Sequence, residues 1–221
     1  MLVELLQRDG DANSGLRAYL RNMMLVMDFD VRRRGKWISQ VELNDYTRWL
    51  AIAVTEAMHH FIGNGAFAPS DGSRYLAASG AHIMHMLRDT YDDARLGYYN
   101  IPREVLEAGC ITPRDVHSDA YRAWVKSRVQ LARAYFDSGK SYFRRGEDWR
   151  HRLAGLAYIA RFEWLTDTLE REDFGLRPRY SERNSPGTAL RMSWHVLSSL
   201  AGVRALGSPS APIAAQRQGK V

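Results

Sequence analysis

The stretch from His82 to Pro102, HIMHMLRDTYDDARLGYYNIP, constrains the fold more than any other part of the chain. Its apolar residues recur at helical spacing, and at about 100° per residue His82, His85, Asp89 and Asp93 fall within an arc of roughly 80°. Ile83, Met84, Met86 and Leu87 surround that stripe. The pattern predicts a packed helix that turns an edge of imidazoles and carboxylates towards a cleft. Two carboxylates at i and i+4 can share a hard cation, and Mg²⁺ is usually held by one or two carboxylates together with substrate phosphate oxygens. An isolated D-x-x-x-D also has a plainer reading, a solvated acidic face with Arg88 and Arg95 as partners.

Few segments elsewhere alternate with period two, whereas Ala, Leu, Met, Arg and Glu recur at helical spacing, so the expected fold is all-α. At 221 residues, 45% of them hydrophobic, the chain is long enough for one well-buried domain. Its apolar runs, such as Trp49 to Val54, fall far short of the roughly 20 residues a membrane-spanning helix needs. The start, MLVELLQRDGD, has no basic region followed by an apolar stretch, so the expected location is the cytoplasm. Cys110, the single cysteine, excludes an internal disulfide and a cysteine-based zinc site, and it reads as a structural thiol after a helix end. The formal charge of +6 favours anionic partners: phosphate esters, a membrane surface touched peripherally, or nucleic acid. No helix-turn-helix, zinc or aromatic-platform pattern supports nucleic acid, and acids interrupt every basic patch.

Residues 1–13 read as a frayed start. A helix is expected from Ser14 to about Phe29, followed by a basic connector containing Arg32, Arg33, Arg34 and Lys36, read first as a solvated loop and second as a docking point for lipid head groups or diphosphate. Ser39, with Glu42 three residues on, is a capping box that opens a helix to about Ile62, where Gly63 to Gly65 stop it. The helix of the opening stretch runs to about Arg95, and Pro102 starts a short helix ending near Gly109. Long amphipathic helices are expected over 118–143 and 148–171, and a last one near 186–206. The tail, 207–221, is rich in small residues, Pro and Gly and is expected to be disordered.

Read from Arg88, R-D-x-x-x-D followed by GYYNIP and a short helix ending in Gly resembles the second aspartate-rich motif of the squalene/phytoene synthase family. The matching residues are Arg88, Asp89, Asp93, Gly97, Tyr99, Pro102 and Gly109. Upstream, Met24, Met27, Asp28 and Phe29, then Tyr46, Leu50 and Ala51, stand where the family has its GMxMDL segment and the following Y-C-x-x-V-A. Phe162 to Glu170 with Arg179 resembles a later helix of the family and the arginine after it.

The resemblance covers about residues 20–180 and implies an isoprenoid-synthase-like helical bundle over 14–206. It implies Mg²⁺-dependent head-to-head condensation of two farnesyl or geranylgeranyl diphosphates, with NADPH needed only if the product is squalene; no dinucleotide fingerprint is present. Asp89 and Asp93 would hold the metal, with His85 a further candidate ligand. Arg88, Arg179 and His85 would contact diphosphate, and Tyr46 would lie near the reacting carbons.

The sequence departs from the family at several points. His82 and His85 replace Gln and Asn, Phe162 replaces a tyrosine, and Tyr98 replaces the arginine of the G-R-x-Y element. The first aspartate-rich motif finds no room before Met24, so the bundle is expected to be short at its N-terminal side and to expose apolar surface through which it could pair with itself. Asp115 and Asp119 have the right separation but follow Pro113 at a helix start, where acids cap. Glu163 and Asp167 read as a surface pair.

Two other readings compete. One is a divergent member that binds a prenyl diphosphate without catalysis. The other is a di-iron bundle, suggested by Glu56-x-x-His59 and, as the nearest second element, Asp148-x-x-His151, with His82, His85 and Asp89 as further transition-metal ligands.

Overall fold

The computed structural model of the chain describes residues 14–63 and 69–181, with scattered positions before 14 and between 186 and 198. The expected frayed start and last helix are therefore described only in part, and the expected tail lies outside the described residues. Six helices have defined bounds: α1 (Gly15–Arg33), α2 (Gln40–Phe61), α3 (Leu76–Leu96), α4 (Arg103–Gly109), α5 (Asp119–Arg145) and α6 (Trp149–Arg171). No strand occurs among the described residues. The architecture is the expected all-α one, and none of the described helices is long and apolar enough to cross a membrane.

Local chemistry sets most of the helix starts. The hydroxyl of Ser14 accepts from the backbone of Arg17, and that of Ser118 from Tyr121. Ser39 and Glu42 form the capping box that their spacing predicts, with each side chain bonded to the other's backbone. Asp148 caps α6 by accepting from the backbone N–H of Arg150 and His151.

Helix α3 is the centre. It packs against α2, α5 and α6, while α1 packs along α2 and α4 against α5. Eleven residues of α3 are buried, from Ala77 to Thr90. A helix buried nearly all round is a core helix, and each large apolar side chain such as Met84 or Leu87 contributes about 1.5–3 kcal/mol by leaving water. Gly139 of α5 lets that helix approach closely, since a Cβ there would meet Ala77 of α3 at 2.7 Å.

Two connectors are stitched together at one end of the bundle. Gly97 ends α3 in the left-handed conformation (φ 88°), which Gly adopts without a Cβ clash. Its carbonyl accepts from the N–H of Gly35, itself at φ 76°, at 2.8 Å. Arg103 N–H donates to Ile38 O at 2.7 Å, and Gln40 N–H donates to Glu104 Oε2 at 2.9 Å. The α1–α2 turn is thus fixed against the α3–α4 turn, with Arg33 on one side and Tyr98 and Asn100 on the other.

The expected basic connector is corrected here. Helix α1 continues through Arg32 and Arg33, and Arg33 is buried rather than solvated. Arg34 and Lys36 are exposed, as expected for a connector. The reading of Glu163 as half of a surface pair is also corrected: Glu163 is buried and accepts from Lys140, whereas Asp167 pairs with Arg133.

Candidate active site

The stitched end of the bundle frames a cavity of about 370 Å³ that is open to solvent. It is lined by Asp30 and Arg33 of α1, Tyr46 and Leu50 of α2, a row from His82 to Leu96 on α3, and Tyr98 and Asn100 after it. The α3 row contains His82, His85, Met86, Asp89 and Asp93, so the stripe read from the helical period does face a cleft. Leu50, Met86 and Leu96 supply apolar wall beside the acids.

Hydrogen bonds tie the polar lining into one chain. Tyr46 donates its hydroxyl to Asp30 Oδ2 at 3.1 Å. Arg33 donates Nε to Asp30 Oδ1 at 2.7 Å and Nη1 to Asn100 Oδ1 at 2.8 Å. Asn100 in turn donates Nδ2 to Asp93 Oδ2 at 2.7 Å. Arg88 grips Asp89 with two bonds of 2.7 and 2.6 Å. The guanidinium of Arg33 also lies 4.6 Å from the ring centroid of Tyr46 and 5.1 Å from that of Tyr98.

Two of the cavity acids are paired with arginine, Asp30 with Arg33 and Asp89 with Arg88, whereas Asp93 is held by Asn100. Burial pushes the Asp93 carboxyl above the usual carboxylate range, against the Asn100 hydrogen bond, and the charges of Asp89 and Asp30 add to the rise. Burial and then Asp30 push the Tyr46 phenol up, so it stays protonated and donates. His82 is held down at about 3 by burial, with His85 adding to the effect, so its ring is neutral. Its Nε2 is buried without a hydrogen-bond partner among the described residues, and the ring sits edge-on to Tyr46 at 5.1 Å.

The model of the family described as Squalene/phytoene synthase matches residues 4–185. The chain belongs to that family. The crystal structure of squalene synthase HpnC from Alicyclobacillus acidocaldarius shares its fold, with a TM-score of 0.59 and 20% identity. That likeness covers 71% of this chain and 61% of the HpnC chain, so this chain spans less than two thirds of that protein's length. No curated protein matches it.

As a squalene/phytoene synthase family chain, it brings Tyr46, His85, Asp89 and Asp93 to one cavity, whereas Arg88 pairs with Asp89 and is not itself in the cavity lining. His85 also packs its ring at 4.8 Å from Phe162, the residue standing where the family has a tyrosine. Arg179 is exposed beyond α6 and does not line the cavity. On α1 the acid facing the cavity is Asp30, whereas Asp28, matched by resemblance, is exposed and pairs with Arg32 at 2.6 Å. Asp30, Arg33 and Asn100 were missed in the sequence. Only the helical phase of α1 relative to buried Val26 and Phe29 could have pointed to Asp30 and Arg33, and no pattern marks Asn100.

The histidines of the di-iron reading do meet. His59 and His151 lie with ring centroids 4.0 Å apart. Their would-be carboxylate partners are engaged elsewhere: Glu56 takes two bonds from Arg74, at 2.8 and 2.9 Å, and Asp148 caps α6. Among the described residues no group of three or more His, Cys, Asp or Glu converges as a metal cage.

Mg²⁺, which the family implies, fits the cavity's donor set. Its oxygen ligands are hard, Asp89 and Asp93 are one helical turn apart, and the raised Asp93 is a carboxylate that a cation would stabilise. A pair of acids without a full protein cage suits a cation whose remaining positions are filled by phosphate oxygens and water.

Proposed function

We propose that the chain is a prenyltransferase that joins two prenyl diphosphates, farnesyl or geranylgeranyl, head to head in isoprenoid and carotenoid biosynthesis. The observation that carries this reading is the convergence of Asp89 and Asp93 with Tyr46 in one cavity that also has apolar wall. Asp89 and Asp93 would hold Mg²⁺, with His85 beside them. Bound there, the metal supplies positive charge that stabilises a departing diphosphate.

The chain's own residues do the rest. Arg88, paired with Asp89, would add a cation beside that acid for the diphosphate, a role implied by the resemblance. Leu50 and Met86 give a reactive allylic cation an apolar wall, and the ring of Tyr46, its hydroxyl fastened to Asp30, presents a polarisable face near the reacting carbons. The diphosphate role implied for Arg179 rests on resemblance alone. Reduction by NADPH enters only if the product is squalene. Amphiphilic substrates and a formal charge of +6 favour work beside an anionic membrane surface.

A second reading, binding of one prenyl diphosphate without condensation, is favoured by the cavity's size. About 370 Å³ lies near the low end of ligand cavities, which run roughly 300–1,000 Å³. Incubation with farnesyl or geranylgeranyl diphosphate and Mg²⁺, followed by extraction and mass analysis, separates the two. A product of twice the carbon number supports condensation, and unchanged substrate that protects the chain against thermal unfolding supports binding alone.

A further inference from the structure

Arg33 is the residue on which the polar lining of the cavity turns. Its side chain is only 6% exposed, and a buried guanidinium is costly unless its donors are met. Aromatic faces hold its plane, with Phe29, Tyr46 and Tyr98 ring centroids at 5.7, 4.6 and 5.1 Å. Its Nε and Nη1 leave in different directions, one to Asp30 on its own helix and one to Asn100, sixty-seven residues along the chain.

The direction of these bonds has a chemical consequence. A guanidinium can only donate, so the Asn100 amide must turn its oxygen to Arg33 and its NH₂ away. That NH₂ then meets Asp93 Oδ2 at 2.7 Å, leaving Oδ1 as the oxygen with no hydrogen bond from Asn100. On the other arm, Arg33 occupies Asp30 Oδ1, which leaves Oδ2 to receive the Tyr46 hydroxyl. One side chain therefore sets the orientation of groups from α1, α2, α3 and the turn after α3.

We propose that Arg33 is a positioning residue that, through Asn100, fixes the Asp93 carboxylate for a divalent cation and, through Asp30, fixes the Tyr46 hydroxyl. The inference rests on the reading that Asp89 and Asp93 hold the cation. A lysine would keep the charge but lose the planar fork that reaches both partners, so Arg33→Lys separates charge from geometry.

The test is titration of the full chain with Mn²⁺, the free ion being followed by electron paramagnetic resonance. Wild type is compared with Arg33→Lys, Asn100→Ala, the two combined, and Asp89→Ala/Asp93→Ala, with thermal melts to confirm folding. Asn100→Ala leaves the Arg33–Asp30 pair intact, so it keeps the test valid if Arg33→Lys folds poorly. Loss of a residue that orients a metal ligand costs about 10–100-fold in affinity, and each single variant should show that loss. Because both act through one link, the combined variant should be no weaker than the worse single one. Mn²⁺ affinity that is lost in Asp89→Ala/Asp93→Ala but unchanged in Arg33→Lys and Asn100→Ala, or single losses that multiply, would overturn the inference. Mn²⁺ binding unaffected by Asp89→Ala/Asp93→Ala would instead remove the reading beneath it.

Discussion

The Tyr46 hydroxyl donates to Asp30 Oδ2 at 3.1 Å, fastening the first half of α2 to the acid one turn from the end of α1. A hydrogen bond to a charged acceptor contributes about 1.5–3 kcal/mol. Asp30 keeps its Arg33 partner when the hydroxyl is removed, so Tyr46→Phe should destabilise by about 1.5 kcal/mol, the lower end of that range. A lowered urea midpoint with an unchanged slope would show this. An unchanged midpoint would mean that the bond contributes nothing in solution.

Asp93 should be worth more to function than to stability. Its carboxyl titrates above the ordinary range because of burial and the neighbouring Asp89 and Asp30 charges. A carboxyl raised on folding takes up a proton more readily in the folded than in the unfolded chain, so its ionised form weighs against folding at neutral pH and the penalty fades as pH falls through the folded value. Asp93→Asn removes that charge and can still accept from Asn100. The expected outcome is a higher melting temperature at pH 7, a smaller gain at pH 4, and loss of divalent-ion binding. A lower melting temperature at pH 7 would contradict this account.

The legible parts of the chain are those written in local chemistry. Ser39 and Glu42 gave the start of α2, and the His82 to Asp93 period gave both the central helix and its face towards the cavity, because capping and helical phase need only neighbours in sequence. Arg33 was illegible for the opposite reason. In a run with Arg32, Arg34 and Lys36 it looks like any solvated cation, and what buries it is Asn100 and Tyr98, brought near by the Gly35–Gly97 backbone bond. Asp30 was hidden in the same way, two residues past Asp28, the acid to which resemblance pointed.

The far end of α2 carries a pH response. Burial, then the charges of His151 and Arg74, hold His59 down at about 4 against Glu56, and burial also lowers His151 despite Asp148. Unfolded histidine titrates near 6.5, so the unfolded chain takes up these protons first. Stability from this pair is full above about pH 6.5 and is lost progressively as pH falls towards 4. His151 has a buried Nε2 with no hydrogen-bond partner among the described residues and packs on Phe143 at 5.2 Å. His151→Phe should therefore leave stability at pH 7 unchanged or higher and flatten the acid limb. An acid limb as steep as wild type would contradict the assignment.

The α5–α6 contact depends on a missing Cβ. A methyl group at Gly155 would run into the ring of Phe143, which is 2% exposed and has no room to swing aside. Overpacking costs about 1–3 kcal/mol, against a helix-propensity gain of about 1 kcal/mol for Ala over Gly. Gly155→Ala should lower the urea midpoint, and a stabilised variant would show that α6 sits further from α5 than described.

Release of inorganic diphosphate tests the central claim most directly. The purified chain is given farnesyl or geranylgeranyl diphosphate with and without Mg²⁺, beside Asp89→Ala/Asp93→Ala. The account predicts release that needs the metal and disappears in the double variant while the melting temperature of that variant is kept. Folded wild-type chain that binds Mg²⁺ and prenyl diphosphate yet releases nothing would contradict it and leave a binding protein.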